Sequence, residues 1–118
     1  MAEYDLPRDF RIRFAADFRS VYDRRCGKSD QYVLIYGREN RLLHSRLGLS
    51  VSRKVGSAVE RNRWKRSIRE AYRLQQRLIP TGYDWVVIPR KQRPPALRQL
   101  QSSLQTLTRK LARKLEQR

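Results

Sequence analysis

The chain has 118 residues, with 28 Lys and Arg against 11 Asp and Glu for a formal net charge of +17. That is room for one domain with a modest core, and a charge that draws polyanions. The single Cys26 excludes an internal disulfide framework and, lacking Cys or His neighbours at ligand spacing, a zinc site. No apolar run reaches the roughly 18 residues of a membrane span, and the opening MAEYDLPRDF lacks the apolar core of a signal peptide.

A reducing cytoplasm is therefore the expected setting. Self-repulsion at +17 destabilises a compact state unless a polyanion neutralises it, and nucleic acid is the natural candidate. Each neutralised phosphate releases counterions, so affinity should fall with salt, with a slope of about −0.9 per contact on duplex and about −0.7 on single strands. A membrane partner is not expected, because it calls for an amphipathic helix with large exposed apolar residues.

Residues 1–13 carry Pro7 and scattered charges and read as a loosely held arm. From there Phe14, Phe18, Val21 and Tyr22 fall at i, i+4, i+7 and i+8, predicting a short helix with an aromatic face. Such a stripe packs a core or, where a groove beside it opens to solvent, stacks unpaired bases. Cys26-Gly27-Lys28 is expected to end this helix. Gln31 to Arg38 then reads as a strand, with Tyr32, Leu34 and Tyr36 on one side and Val33 and Ile35 on the other.

After a turn at Gly37 to Arg41, a second strand is predicted from Leu43 to Ser52. Leu47, Leu49 and Val51 alternate there with Gly48, Ser50 and Ser52, so one face is apolar and the other leaves space against the backbone. Ser52-Arg53-Lys54-Val55-Gly56-Ser57 is a basic loop ending in a helix-capping Ser, a combination suited to phosphate.

Ser57 to Ile79 predicts one continuous helix, roughly 34 Å long at about 1.5 Å per residue. Trp64, Ile68, Ala71, Tyr72, Gln75, Leu78 and Ile79 form its core stripe. Asn62, Lys65, Arg66, Arg69, Arg73 and Arg77 gather opposite, with only Glu70 at the edge. A merely solvated face mixes signs at i, i+4; this one hardly does.

Ile79-Pro80-Thr81-Gly82 stops the helix, Tyr83 to Pro89 is an interior strand, and Arg90-Lys91-Gln92-Arg93 follows it. From Pro95 a third helix repeats Leu97, Leu100, Leu104, Leu107, Leu111 and Leu115, for packing on the sheet or on a partner helix. The order predicts a single-domain α+β sandwich in which the long and C-terminal helices cover the apolar sheet face. Burial of these side chains contributes roughly 1.5–3 kcal/mol each.

Catalysis by this chain alone is not expected. The carboxylates are scattered singly, His44 is the only histidine, Ser50 and Ser52 have no evident base, and no phosphate-binding Gly motif is present.

Arg46 to Arg73, RLGLSVSRKVGSAVERNRWKRSIREAYR, resembles the signature of the bacterial ribonuclease P protein subunit family. The matching features are the Gly-Leu-Ser-Val-Ser strand end, the loop with Gly56, and the Arg61-Asn62-Arg63-x-Lys65-Arg66-x-x-Arg69-Glu70 block. Asp17-Phe18, Gly82-Tyr83-Asp84 and Pro89-Arg90-Lys91 agree on the flanks, so the likeness covers roughly residues 10 to 115.

The resemblance implies an α-β-β-β-α-β-α fold shared with some ribosomal proteins, with an unusual left-handed β-α-β crossover. It also implies a subunit bound one-to-one to a catalytic RNA that uses Mg²⁺ and removes the 5′ leader of precursor tRNA. By residue matching, Arg61, Asn62, Arg63, Lys65, Arg66, Arg69 and Arg73 would dock on the RNA subunit. Phe18, Tyr22, Ser52, Arg53, Lys54, Arg90 and Lys91 would hold the leader, with no catalytic residue, tightly bound cofactor or metal in the chain. Tyr22 stands where Phe is frequent, and Ser52 where some members carry a cation, which implies weaker leader affinity. A structural RNA-binding protein such as a ribosomal protein, and a self-sufficient nuclease, are the alternatives. A helix-turn-helix DNA binder is disfavoured by the continuity of Ser57 to Ile79.

Overall fold

The computed structural model describes residues 6–118. Their order is α1 (Ala15–Asp23), β1 (Gly27–Ser29), β2 (Val33–Glu39), β3 (Arg46–Leu49), α2 (Ala58–Leu74), β4 (Tyr83–Pro89) and α3 (Leu97–Glu116), the α-β-β-β-α-β-α sequence of elements. The sheet runs β1-β2-β4-β3. β2 and β4 are antiparallel over seven residue pairs from Val33↔Pro89 to Glu39↔Tyr83. β3 lies parallel to β4, so the chain must cross over between them, and α2 is that crossover.

Alternation of side chains gives the sheet two unlike faces. Val33, Ile35, Leu47, Trp85 and Val87 point to one face, where Trp64, Ile68, Ala71 and Tyr72 of α2 and the leucines of α3 bury them in the main core. The leucine stripe packs on the sheet: Leu100, Leu104, Leu107, Leu111 and Leu115 are all buried, while Leu97 stays exposed. The opposite face carries Val86, which with Ile12 and Val21 forms a second, much smaller cluster under α1.

Several predicted boundaries shift. Gly27 does not merely end a helix; Gly27–Ser29 pairs with Leu34 to Tyr36 as an extra edge strand. The strand predicted from Leu43 begins at Arg46, leaving Leu43 in the loop and 98 % exposed. Tyr32 parts from Leu34 and Tyr36 because it precedes the strand. Its amide and that of Val33 bond the Asp30 carboxylate in a tight turn, and its ring packs against the main core.

The long helix is also shorter than predicted: 17 residues, about 25 Å at 1.5 Å per residue. Ser57 caps its start by accepting from the Glu60 amide. At the other end Gln75 leaves helical geometry and donates its side-chain N–H to the Gln101 carbonyl of α3 (2.7 Å). A 3₁₀ turn over Gln76–Leu78 then returns Ile79 to the core but turns Leu78 out, so Leu78 is no core residue.

The N-terminal reading changes most. Residues 1–5 lie outside the described residues, but 6–13 are no loose arm. Leu6 and Ile12 are buried, the Ile12 amide donates to the Leu47 carbonyl (2.9 Å), and Arg11 bridges Leu47 in parallel, which covers the β3 edge. Among the described residues no helix is long and apolar enough to cross a membrane.

Candidate nucleic-acid interface

α1 lies across the sheet face that the other helices leave uncovered. Consecutive residues leave a helix about 100° apart, so Asp17 and Phe18 take opposite flanks with Val21 buried between them. On the Asp17 flank stands an ionic clamp. Asp84, completely buried, accepts from Arg46 at 2.8 and 2.7 Å, from Arg38 at 3.1 Å and from Asn40 at 2.9 Å. Asp17 adds longer ion pairs to Arg38 (3.5 Å) and Arg46 (3.8 Å), joining helix to sheet. Burial opposes ionisation of Asp84, but the bonds from Arg46 and Asn40 and the charges of Arg46 and Arg38 prevail and hold its carboxyl below the usual carboxylate range.

The other flank is open. Phe18 and Tyr22 are half-buried, and Tyr22 meets Tyr36 of β2 edge to face with ring centroids 5.4 Å apart. Tyr22, Leu34, Tyr36 and Ile88 line a hollow of about 520 Å³, with Arg25 on its rim. Phe18 itself sits over Gly48, where an added Cβ would come within 2.9 Å of the ring. The space that the Gly48-Ser50-Ser52 face offers is thus partly taken by the chain's own aromatic side chain.

Beyond the ends of β3 and β4, Ser52, Lys54, Arg90 and Lys91 share a second hollow of about 490 Å³. Four bonds set its shape. The Trp64 indole N–H donates to the carbonyls of Lys91 (3.0 Å) and Gln92 (3.2 Å), so a core residue of α2 pins the basic loop. The Arg90 amide donates to Tyr32 (2.8 Å), and its guanidinium bonds the Asp30 carbonyl across the β1–β2 turn. Gly56 forms the far wall with φ 151° and ψ −154°, a backbone region that favours glycine, and the Glu60 carboxylate folds against it. Arg53 is exposed beside this hollow without lining it.

The ridge on α2 divides into two rows. Asn62, Arg63 and Arg66 are exposed, whereas Arg61, Lys65 and Arg69, at i, i+4 and i+8, run half-buried along one flank. Arg61 follows the margin of the core stripe, and its Nε is enclosed. Arg73 pairs with Glu70 at 3.6 Å. Arg77, counted with the ridge from periodicity, belongs to the 3₁₀ turn beyond the helix.

The structure thus assembles Ser52, Lys54, Arg90 and Lys91 in one place and Phe18 and Tyr22 in another on the same side of α1. Sequence reasoning had left Leu34, Tyr36, Ile88 and Arg25 out of the site. The alternation of Tyr36 with Ile35 carried the signal, since it put the tyrosine opposite the core, but nothing local placed α1 above it. The Asp84 clamp was likewise missed, because its members are 17, 38, 40, 46 and 84 in the chain.

These features define a class: a small, strongly basic α+β protein with one sealed sheet face and one half-open aromatic trough. The Ribonuclease P family model matches residues 6–112, and the chain belongs to the ribonuclease P protein family. It is 43 % identical over 88 residues to the ribonuclease P protein component of Methylococcus capsulatus, covering 74 % of this chain and 68 % of that one. To its counterpart from Thermotoga maritima it is 42 % identical over 81 residues, 69 % of each chain. Among solved structures it resembles the Thermotoga maritima RNase P protein (TM-score 0.75, 34 % identity, 85 % of this chain and 96 % of that one). It also resembles the Staphylococcus aureus RNase P protein (TM-score 0.71, 34 % identity, 87 % and 94 %).

Proposed function

We propose that this chain is the protein subunit of a ribonuclease P ribonucleoprotein, binding a catalytic RNA along α2 and the single-stranded 5′ leader of precursor tRNA in the trough beside α1. The observation that carries the reading is the asymmetry of α1. One flank is clamped through Asp17 while the other holds Phe18 half-buried over Gly48 and Tyr22 half-buried against Tyr36, and Ile88 of that trough leads along the chain to Arg90 and Lys91 of the second, cationic hollow. Bases of an unpaired strand find rings to stack on, and its phosphates find cations within the same surface.

On this reading the chain makes and breaks no covalent bond. Cleavage belongs to the RNA, which uses Mg²⁺, and the protein pairs with it one-to-one in the cytoplasm. Its contribution is binding energy for the leader and screening of the repulsion between two polyanions. Arg61, Asn62, Arg63, Lys65, Arg66, Arg69 and Arg73 are assigned to the RNA subunit. Phe18, Tyr22, Ser52, Arg53, Lys54, Arg90 and Lys91 are assigned to the leader, to which Tyr36 is added.

The test is processing of precursor tRNA by the RNA subunit at low Mg²⁺ with and without the protein, alongside affinities for leader-bearing and leaderless tRNA. A protein-dependent gain with tighter binding of the leader-bearing form is expected. No gain and equal affinities would overturn the reading, and co-purification with ribosomes instead would point to a structural RNA-binding protein.

A further inference from the structure

A third cationic feature stands apart from both the trough and the ridge. Where the N-terminal segment enters α1, a cavity of about 260 Å³ is lined by Arg8, Arg11, Arg13 and Arg46 together with Phe14 and His44, and among the described residues Asp9 is the single carboxylate on its wall. Arg46 ties it to the Asp17 flank of the helix, away from Phe18 and Tyr22. The wall is preorganised. Arg46 is held bidentately by buried Asp84, Arg11 Nε donates to the Leu6 carbonyl (2.7 Å), and the His44 ring bonds the Asp9 carbonyl (2.9 Å) while packing edge to face on Phe10.

Water alone would suit the arginines but not their neighbours. Phe14 is 61 % exposed with the Arg13 guanidinium 5.2 Å from its ring centroid, and Leu42, on the same wall, is 42 % exposed. A concentrated positive charge beside an uncovered ring and an uncovered leucine fits one ligand chemistry: an unpaired nucleotide, whose phosphate takes the guanidinium forks and whose base takes the apolar surface. Its source follows from what the cavity is fixed to. Ser45, between His44 and Arg46, hydrogen-bonds Tyr72 of α2, which ties the strand beneath the cavity to the ridge helix. Asp17, on the flank of α1 opposite the proposed leader trough, reaches the cavity's wall through its ion pair with Arg46 (3.8 Å), and neither Phe18 nor Tyr22 lines the cavity.

We propose that the cavity formed by Arg8, Arg13 and Phe14 docks an unpaired stretch of the RNA subunit, a contact additional to the α2 ridge. The inference rests on the reading of this chain as a subunit bound to that RNA.

The experiment uses the full chain with Phe14→Ala and, separately, the pair Arg8→Ala and Arg13→Ala, all exposed positions, with folding checked by thermal unfolding. Phe14→Ala is expected to weaken binding to the RNA subunit about tenfold, and Phe14→Tyr to restore it. The arginine pair should flatten the salt dependence by about 1.4 in log–log slope, two single-strand contacts at about 0.7 each. Preference for leader-bearing over leaderless tRNA should not change. An iron chelate on Arg13→Cys, with native Cys26 buried and silent, should cleave the RNA subunit at an unpaired segment. Variants that bind the RNA subunit as the parent does, or a loss seen only with leader-bearing tRNA, or cleavage confined to the tRNA, would overturn this proposal alone. A parent chain that fails to bind the RNA subunit overturns the functional reading and this proposal together.

Discussion

The two faces of the sheet answer to different demands. Among the described residues, the face under α2 and α3 closes over eighteen buried residues, whereas the face under α1 closes over three, and Phe18, Tyr22, Tyr36 and Ile88 remain half-buried around them. The first face is apolar, while the second sets Val86, Tyr36 and Ile88 beside the charged Arg38, Arg46 and Asp84. They differ in cover as well: two helices with full stripes seal the first, while a nine-residue helix with a single buried residue, Val21, is laid across the second. Stability is concentrated where water is excluded, and the surface available to a ligand is the one where exclusion was left incomplete.

If this division is right, the faces should fail in different ways. The largest effects belong to the sealed face. Trp64→Ala removes a wholly buried ring and should cost about 3–5 kcal/mol of stability, read as a lower midpoint in denaturant. It also releases the loop at Lys91 and Gln92, so any leader binding that survives should be weaker.

The clamp between the faces comes next. Asp84→Asn leaves Arg38 and Arg46 facing a neutral group in a buried site, a loss of about 3 kcal/mol or more by analogy with other broken buried pairs. Because the folded carboxyl titrates below its ordinary value of 3.8, the stabilisation it gives is complete above that value and is lost as pH falls through the lower folded value. The parent should therefore lose stability in acid more steeply than Asp84→Asn does. Parallel acid-unfolding curves would remove the clamp from the account.

On the open face the order of effects reverses. Phe18→Ala should leave most of the stability intact and cost about 1–3 kcal/mol of affinity for a leader strand, measured by titration with leader-bearing tRNA. Gly48→Ala sharpens the point, because its methyl group would press on the same ring without touching its chemistry. If the ring is a stacking surface, displacing it should lower leader affinity in the same direction as removing it. The smallest effect is at the ridge: Arg66→Ala should reduce the salt slope of RNA-subunit binding by about 0.9 if its contact is on duplex, with leader preference unchanged. Identical defects in Phe18→Ala and Arg66→Ala would mean that the two surfaces are one.

Local pattern alone was enough for the elements and their chemistry. The spacing of Trp64, Ile68, Ala71 and Tyr72 specifies a buried helical stripe wherever the helix docks, and the alternation of Leu47 with Gly48 specifies a two-faced strand whatever covers it, because both are consequences of backbone period. The excess of arginine over carboxylate on α2 likewise required no fold to be recognised. What needed tertiary structure was everything that depends on distance across the chain. Packing against α3 decided that α2 stops at Gln75, with Leu78 turned out. Pairing with Leu47 turned a polar-looking N-terminal segment into an edge cover. Five residues spread from position 17 to 84 became one clamp, and the clamp decided which flank of α1 closes and which stays open. Periodicity says which side of an element is apolar; only the docking of elements says how much of that side water can still reach.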